Sequence, residues 1–179
     1  YPDWISKAQS EIDAIVGSDR MPTFKDRPLL PYVTAIVQET LRWRPAARFG
    51  MPHQSIVDDI VDKYFIPKGS VVFFVPWAIE HDQRRYKDPD SFQPNRFLDD
   101  KGQLKPYYET SVFGFGKRSC LGIPFAERAL WINIAMMLWT FNIRKSEELD
   151  PKTGSKVQYD ASDAAFQGTV RLVYLIASS

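Results

Sequence analysis

The chain has one cysteine, two histidines and almost no net charge, and each shortage removes a class of function. A single thiol cannot close an internal disulfide, and without paired cysteine spacings there is no structural zinc motif. Basic and acidic residues nearly cancel, at 23 against 22. No basic block of the kind that grips phosphates is present, which excludes nucleic acid as the expected partner. Long apolar runs are missing too. The longest, Leu130 to Phe141, is broken by Asn133 and Thr140 and is too short to cross a bilayer. There is no signal-peptide pattern, internal repeat or low-complexity tract. Core-building material is present in ordinary amounts. With 44% hydrophobic and 25% charged residues over 179 positions, the chain can build one domain with a real core.

Periodicity divides the sequence into elements. Trp4, Ile5, Ala8, Ile12 and Ile15 make a helical stripe, with Gly17 as its expected stop. A proline-rich connector, Pro22 to Pro31, leads into a second helix from Leu30. Pro31 is tolerated in its first turn, Pro45 lies beyond its end, and Val33, Ile36, Val37 and Leu41 supply its apolar face. Asp59 to Ile66 and Ser70 to Val75 read as strands separated by the turn Pro67-Lys68-Gly69. Pro76 to His81 predicts a short helix, and Asp82 to Ser111 an ordered but irregular loop. Leu121 to Phe141 is apolar on most faces, which predicts a long helix buried in the middle of a protein. Lys156 to Ser179 alternates like a terminal hairpin, with Gly168 near its bend. The expected fold class is mainly α with small β-sheets, in a single partial domain over residues 1–179.

The lone cysteine stands in a dense frame. Phe113, Gly116, Arg118, Cys120 and Gly122 form F-x-x-G-x-R-x-C-x-G within FGFGKRSCLG. Two glycines let the backbone lie flat against a large planar ligand, and an arginine two residues before the sulfur reaches a carboxylate with a fork of donors. Cys120 falls where the irregular loop meets the long helix. The first amides of a helix lack intrahelical partners and carry partial positive charge, which favours a thiolate. A solitary cysteine would ordinarily read as a buried, inert thiol. A thiolate in such a frame can also be a protein's single bond to a haem iron, and five fixed positions in ten residues make coincidence unlikely. A metal held by Cys120, His53 and His81 ranks lower, because the three are widely scattered.

This frame resembles that of the haem-thiolate enzymes called cytochrome P450. Glu39 and Arg42 form E-x-x-R on one face of the second helix; taken alone, they read equally as a solvated surface pair. Arg96, in Pro94-Asn95-Arg96-Phe97, matches the arginine of the family's P-x-R-F motif, with asparagine where glutamate is frequent. The resemblance implies that Glu39, Arg42 and Arg96 form a structural triad bracing the cysteine loop. It also implies that Cys120 is the axial ligand of haem b (iron protoporphyrin IX), where thiolate ligation favours O–O cleavage. Arg118 then pairs with a haem propionate, Phe113 shields the iron–sulfur bond, and Gly116 and Gly122 permit the approach. His53 falls where the family often places a residue contacting a propionate, or else is an ordinary structural histidine; His81 reads as structural. Ala46, Ala47 and Phe49, beside Arg48, match one pocket-lining segment. Ala165 and Phe166 fall in a second, where the family usually carries a proline–phenylalanine pair. Lys101, Lys105 and Lys117 form a docking patch for an acidic electron donor or are merely solvated.

The resemblance covers the carboxy-terminal part of the family's fold. That part runs from the helix before E-x-x-R through the E-x-x-R helix, short β-strands, an irregular meander, the cysteine loop, a long buried helix and a terminal β-hairpin. The chain starts at Tyr1 rather than methionine, so the oxygen-side helix and any membrane anchor are expected upstream. By resemblance the parent is a monooxygenase that inserts one atom of dioxygen into an apolar small molecule. Its electrons come from an NADPH-dependent reductase, and this fragment alone is expected to be inactive. WISKAQSEIDAIVG, LPYVTAIVQETLRWRP and YFIPKGSVV are similar to fungal and other eukaryotic microsomal members. That similarity implies fungal secondary metabolism and attachment to the endoplasmic reticulum membrane through an upstream anchor. A non-catalytic haem-binding remnant and a haem-thiolate isomerase or peroxide-using enzyme remain open as alternatives.

Overall fold

Helix α1 (Pro2–Ile15) takes Ala8 and Ile12 fully out of water. Its buried stripe finishes on Val16 rather than on Ile15, which is 41% exposed. Gly17 then turns the chain at φ 71°, the left-handed stop that a missing Cβ allows. The computed structural model describes residues 2–106, 110–143 and 154–155. Two units divide the chain, Tyr1–Phe141 and Asn142–Ser179, and every helix and strand among the described residues belongs to the first. Helix α2 (Pro31–Trp43) starts at a proline, and Leu30 before it has no side chain able to cap. Glu11 of α1 does that work, accepting the amides of Tyr32 and Val33 at 2.9 and 3.0 Å. Two of the donors that a first turn leaves open are thereby satisfied from another helix.

The strand region differs from its expected layout. Asp59 to Ile66 is not one strand but a hairpin, with β2 (Asp59–Val61) antiparallel to β3 (Tyr64–Ile66). Asp62, at φ 55°, makes the bend between them; aspartate is one of the few side chains that visits the left-handed region. β1 (His53–Gln54) pairs instead with β4 (Val71–Val72) across that hairpin, His53 opposite Val72. The turn at Pro67-Lys68-Gly69 is present, with the Ser70 amide on the Pro67 carbonyl at 3.1 Å and Gly69 at φ 88°. It leads back to β1 rather than joining the two expected strands.

Helix α3 (Pro76–Glu80) follows, and the irregular stretch after it contains a 3₁₀ turn at Pro94–Phe97 and a Leu98–Leu104 bridge. Helix α4 (Ile123–Thr140) forms where expected but is not buried all round. Only Trp131, Ala135 and Leu138 are fully covered, while Phe125 is 79% exposed. The physical reason is coverage: among the described residues α4 packs on α1 and α2 along one stripe. The most enclosed helix is α2, packed against α1, α3, α4 and the Pro94–Phe97 turn, with Tyr32 to Val37 all out of water. Two tryptophans tie α4 down by their indole N–H groups. Trp131 donates to Thr34 Oγ1 at 3.0 Å and Trp139 to the Gly17 carbonyl at 2.8 Å. The terminal hairpin expected over Lys156 to Ser179 lies outside the described residues.

Candidate functional site

The cysteine loop is closed at its base by one short bond, from the Cys120 amide to the Phe113 carbonyl at 2.8 Å. Within it Gly114 and Gly116 take φ 78° and 56°, values that would strain most L side chains. A 3₁₀ turn covers Gly116–Arg118, and Gly122 caps α4, its carbonyl accepting the Ala126 amide at 2.8 Å. Cys120 is free and exposed two residues before that cap. Arg118 is exposed beside it, and Phe113 is half-buried.

Behind the loop, Glu39 and Arg42 are both fully buried and joined by a fork, Nε to Oε2 at 2.6 Å and Nη2 to Oε1 at 2.9 Å. Arg96 comes from the Pro94–Phe97 turn to the same Oε1 at 3.2 Å, as does the Gln93 amide at 2.7 Å. Arg96 also donates to the carbonyls of Lys87, Asp88 and Ser91 at 2.9, 3.3 and 3.2 Å. These three side chains therefore meet in one place, and they stitch the irregular stretch to α2.

Two side chains that sequence reasoning missed reach the loop. Glu80, at the end of α3, is fully buried and accepts from Ser111 and Thr110, just ahead of Phe113. Phe74 sits between two glycines: a methyl group at Gly50 would meet its ring at 2.6 Å, and one at Gly114 at 3.7 Å. Phe115 packs edge-on against the same ring, 5.7 Å between centroids. No local pattern announces either residue. A lone glutamate in WAIEHD and one phenylalanine in a strand-like run look ordinary until distant segments close on them.

The sequence model of the family described as Cytochrome P450 matches residues 1–159. The chain belongs to the cytochrome P450 family. Cytochrome P450 monooxygenase 58 of Postia placenta is 50% identical over 148 residues, covering 80% of this chain and 28% of that protein. Cytochrome P450 monooxygenase verL of Clonostachys rogersoniana is 43% identical over 160 residues, or 85% of this chain and 29% of the relative. Cytochrome P450 monooxygenase claR of Ampulloclitocybe clavipes is 42% identical over 149 residues, 82% and 27%. The chain thus spans between a quarter and a third of these cytochrome P450 relatives.

The residues present suit the haem of a cytochrome P450. The donor is one unpaired, exposed sulfur, and a methyl group at Gly122 would occupy space 3.5 Å from it. Of the remaining candidates, Ala46 and Phe49 are exposed and Ala47 half-buried, on the segment between α2 and β1. That segment is docked by the Trp77 amide on the Arg48 carbonyl at 3.1 Å, and Phe74 brings Gly50 against the ring that also underlies Gly114. His53 is exposed on β1. His81 is half-buried and stacked on Trp77, 3.6 Å between centroids, its Nδ1 donating to the Trp77 carbonyl at 3.0 Å. Burial, reinforced by the charges of Arg42 and Arg44, holds its pKa below the usual histidine value against the pull of that bond. Lys101, Lys105 and Lys117 are exposed, and Lys105 spends its ammonium on the Arg96 carbonyl at 2.8 Å. Ala165 and Phe166 lie outside the described residues.

Proposed function

We propose that the protein carrying this chain is a haem-thiolate monooxygenase in which Cys120 would hold the iron of haem b through its sulfur. The observation that carries this reading is the free, exposed sulfur in a glycine-hinged loop at the start of α4. When bound, the haem supplies oxygen activation, with thiolate ligation favouring O–O cleavage. The chain's own residues hold and shield. Arg118 would offer its fork to one propionate and His53 its ring to another, while Gly116 and Gly122 would keep side chains off the approach. Phe113 would shield the sulfur once the haem is in place. Ala46, Ala47 and Phe49 give an apolar wall suited to an apolar organic substrate, and Ala165 and Phe166 extend it. Glu39, Arg42 and Arg96 act structurally, behind the loop. Residues 1–179 form part of one larger domain in this reading.

Electrons come from an NADPH-dependent reductase, and the exposed Lys101 and Lys117 suit an acidic docking face. No helix among the described residues is long and apolar enough to cross a membrane. Attachment to the endoplasmic reticulum is proposed through a segment outside this chain. The relatives' names, all monooxygenases, favour this reading over an isomerase or a peroxide-using enzyme. The test is the carbon-monoxide spectrum of the reduced gene product, expected to show the band of a thiolate ligand and to lose it in Cys120→Ser. Survival of that band in the variant would remove Cys120 as the ligand. Haem binding with the band but no turnover of any apolar substrate by a reductase-coupled preparation would favour the remnant.

A further inference from the structure

The cysteine loop has an anchor outside the motifs that mark it. Glu80 is fully buried, and its Oε1 accepts three donors: the Ser111 amide at 2.6 Å, the Ser111 hydroxyl at 2.8 Å and the Thr110 hydroxyl at 3.3 Å. A carboxylate out of water is costly unless donors replace its hydration. Every donor to Oε1 comes from Thr110 and Ser111, shortly ahead of Phe113, while Oε2 is buried with no hydrogen-bond partner among the described residues. The backbone of the same residue faces the other way, its carbonyl accepting Arg42 Nη1 at 3.0 Å. One residue therefore joins the E-x-x-R helix to the start of the cysteine loop.

The charge arrangement agrees with that placement. Arg42 and Arg96 both bond Glu39, which leaves this cluster one positive charge in excess. Glu80 supplies the second acid. Tyr86 lies between the groups, its ring 5.3 Å from the Arg42 guanidinium carbon and 5.8 Å from that of Arg96. Burial and then the neighbouring Glu80 charge push its phenol up to about 12. From Ser111 the constraint passes onward by short backbone bonds. The Ser111 carbonyl accepts the Gly114 amide at 2.9 Å, and the Phe113 carbonyl accepts that of Cys120 at 2.8 Å.

We propose that Glu80 is a positioning residue for the Cys120 sulfur, clamping the root of the loop so that the thiolate is presented at one height and angle. The proposal rests on the haem-thiolate reading of Cys120. A loop released at Ser111 lets the sulfur withdraw, and its hold on the iron weakens. Glu80 does not touch the ligand; it acts through Ser111.

The experiment compares the wild-type haem-loaded gene product with Glu80→Ala, Glu80→Gln and Ser111→Ala. The reduced carbon-monoxide spectrum reports thiolate ligation, and tryptic cleavage after Lys117 and Arg118 reports loop opening. Loss of a charge-assisted bond predicts an about tenfold rise in the ratio of blue-shifted to thiolate-type band in Glu80→Ala, with faster cleavage. Glu80→Gln keeps an acceptor oxygen without the charge and should recover much of both. A merely structural role would lower the melting temperature and leave the spectrum of the folded protein unchanged, which overturns the proposal. Should Glu80→Ala fail to fold, Ser111→Ala decides by the same two readouts, wild-type values in both again overturning it. Absence of the thiolate band in the wild type would instead sink the haem reading. A cleavage rate that still depended on Glu80 would then uphold its hold on the loop.

Discussion

At Glu39 one carboxylate receives two guanidiniums and a backbone amide with no water to share the load. Removing a single partner is therefore more damaging than removing the whole set, because a charge stays buried without its counter-ion. Arg42→Ala is expected to cost about 3–5 kcal/mol in urea unfolding of the gene product. Arg42→Lys should recover only part, since an ammonium cannot reproduce the fork. An exposed pair would cost at most about 1 kcal/mol, and a loss that small would contradict the burial of Glu39 and Arg42. His81 predicts a pH dependence. Its folded pKa lies below the unfolded value of about 6.5, so the native state binds fewer protons in that window. The stability from neutral, stacked His81 is complete above the unfolded pKa and is lost as pH falls through the folded one. His81→Phe should flatten this acid limb in thermal melts; an unaltered limb would assign it to another group. Both residues stand in the sequence, but E-x-x-R reads equally as a surface pair, and burial is what separates the two cases.

Among the elements, the loops and strands were harder to read than the helices. α1, α2 and α4 declare themselves by their apolar residues and a proline in the first turn, and α1 by its glycine stop, all local signals. The hairpin over Asp59–Ile66 does not, because Asp62-Lys63 is a weak turn signal between two β-favouring runs. Nor does sequence reveal which glycines are crowded. Gly17 and Gly50 have nearly equal positive φ, 71° and 69°, yet a methyl group at Gly17 meets nothing within 4 Å while one at Gly50 meets Phe74 at 2.6 Å. Gly17→Ala should thus cost about 1 kcal/mol, the backbone penalty alone. Gly50→Ala adds displacement of a ring and should cost about 1–3 kcal/mol more. Equal losses of melting temperature would mean that Phe74 yields freely and does not join Gly50 to the cysteine loop.

For the molecule as a whole, α4 carries the largest consequence. Its sequence is that of an enclosed helix, yet Phe125 is 79% exposed and Met136 and Met137 about a third, with Leu121 just ahead of it at 99%. Such a face is a liability in water. The 179-residue chain expressed alone is expected to bind a hydrophobic dye strongly, to self-associate and to hold haem poorly. A monodisperse chain without dye binding would show the face to be covered. Sequence by itself determined the frame around Cys120, because the chemistry of a thiol, two glycines and an arginine at fixed spacing is local, and it determined the helices by the same kind of local periodicity. Tertiary structure alone decided that Glu80 reaches Ser111 across 31 residues and that Phe74 lies between Gly50 and Gly114. It also decided that α2, not α4, is the enclosed helix. Those outcomes depend on which distant surfaces meet, and no spacing within one segment records that.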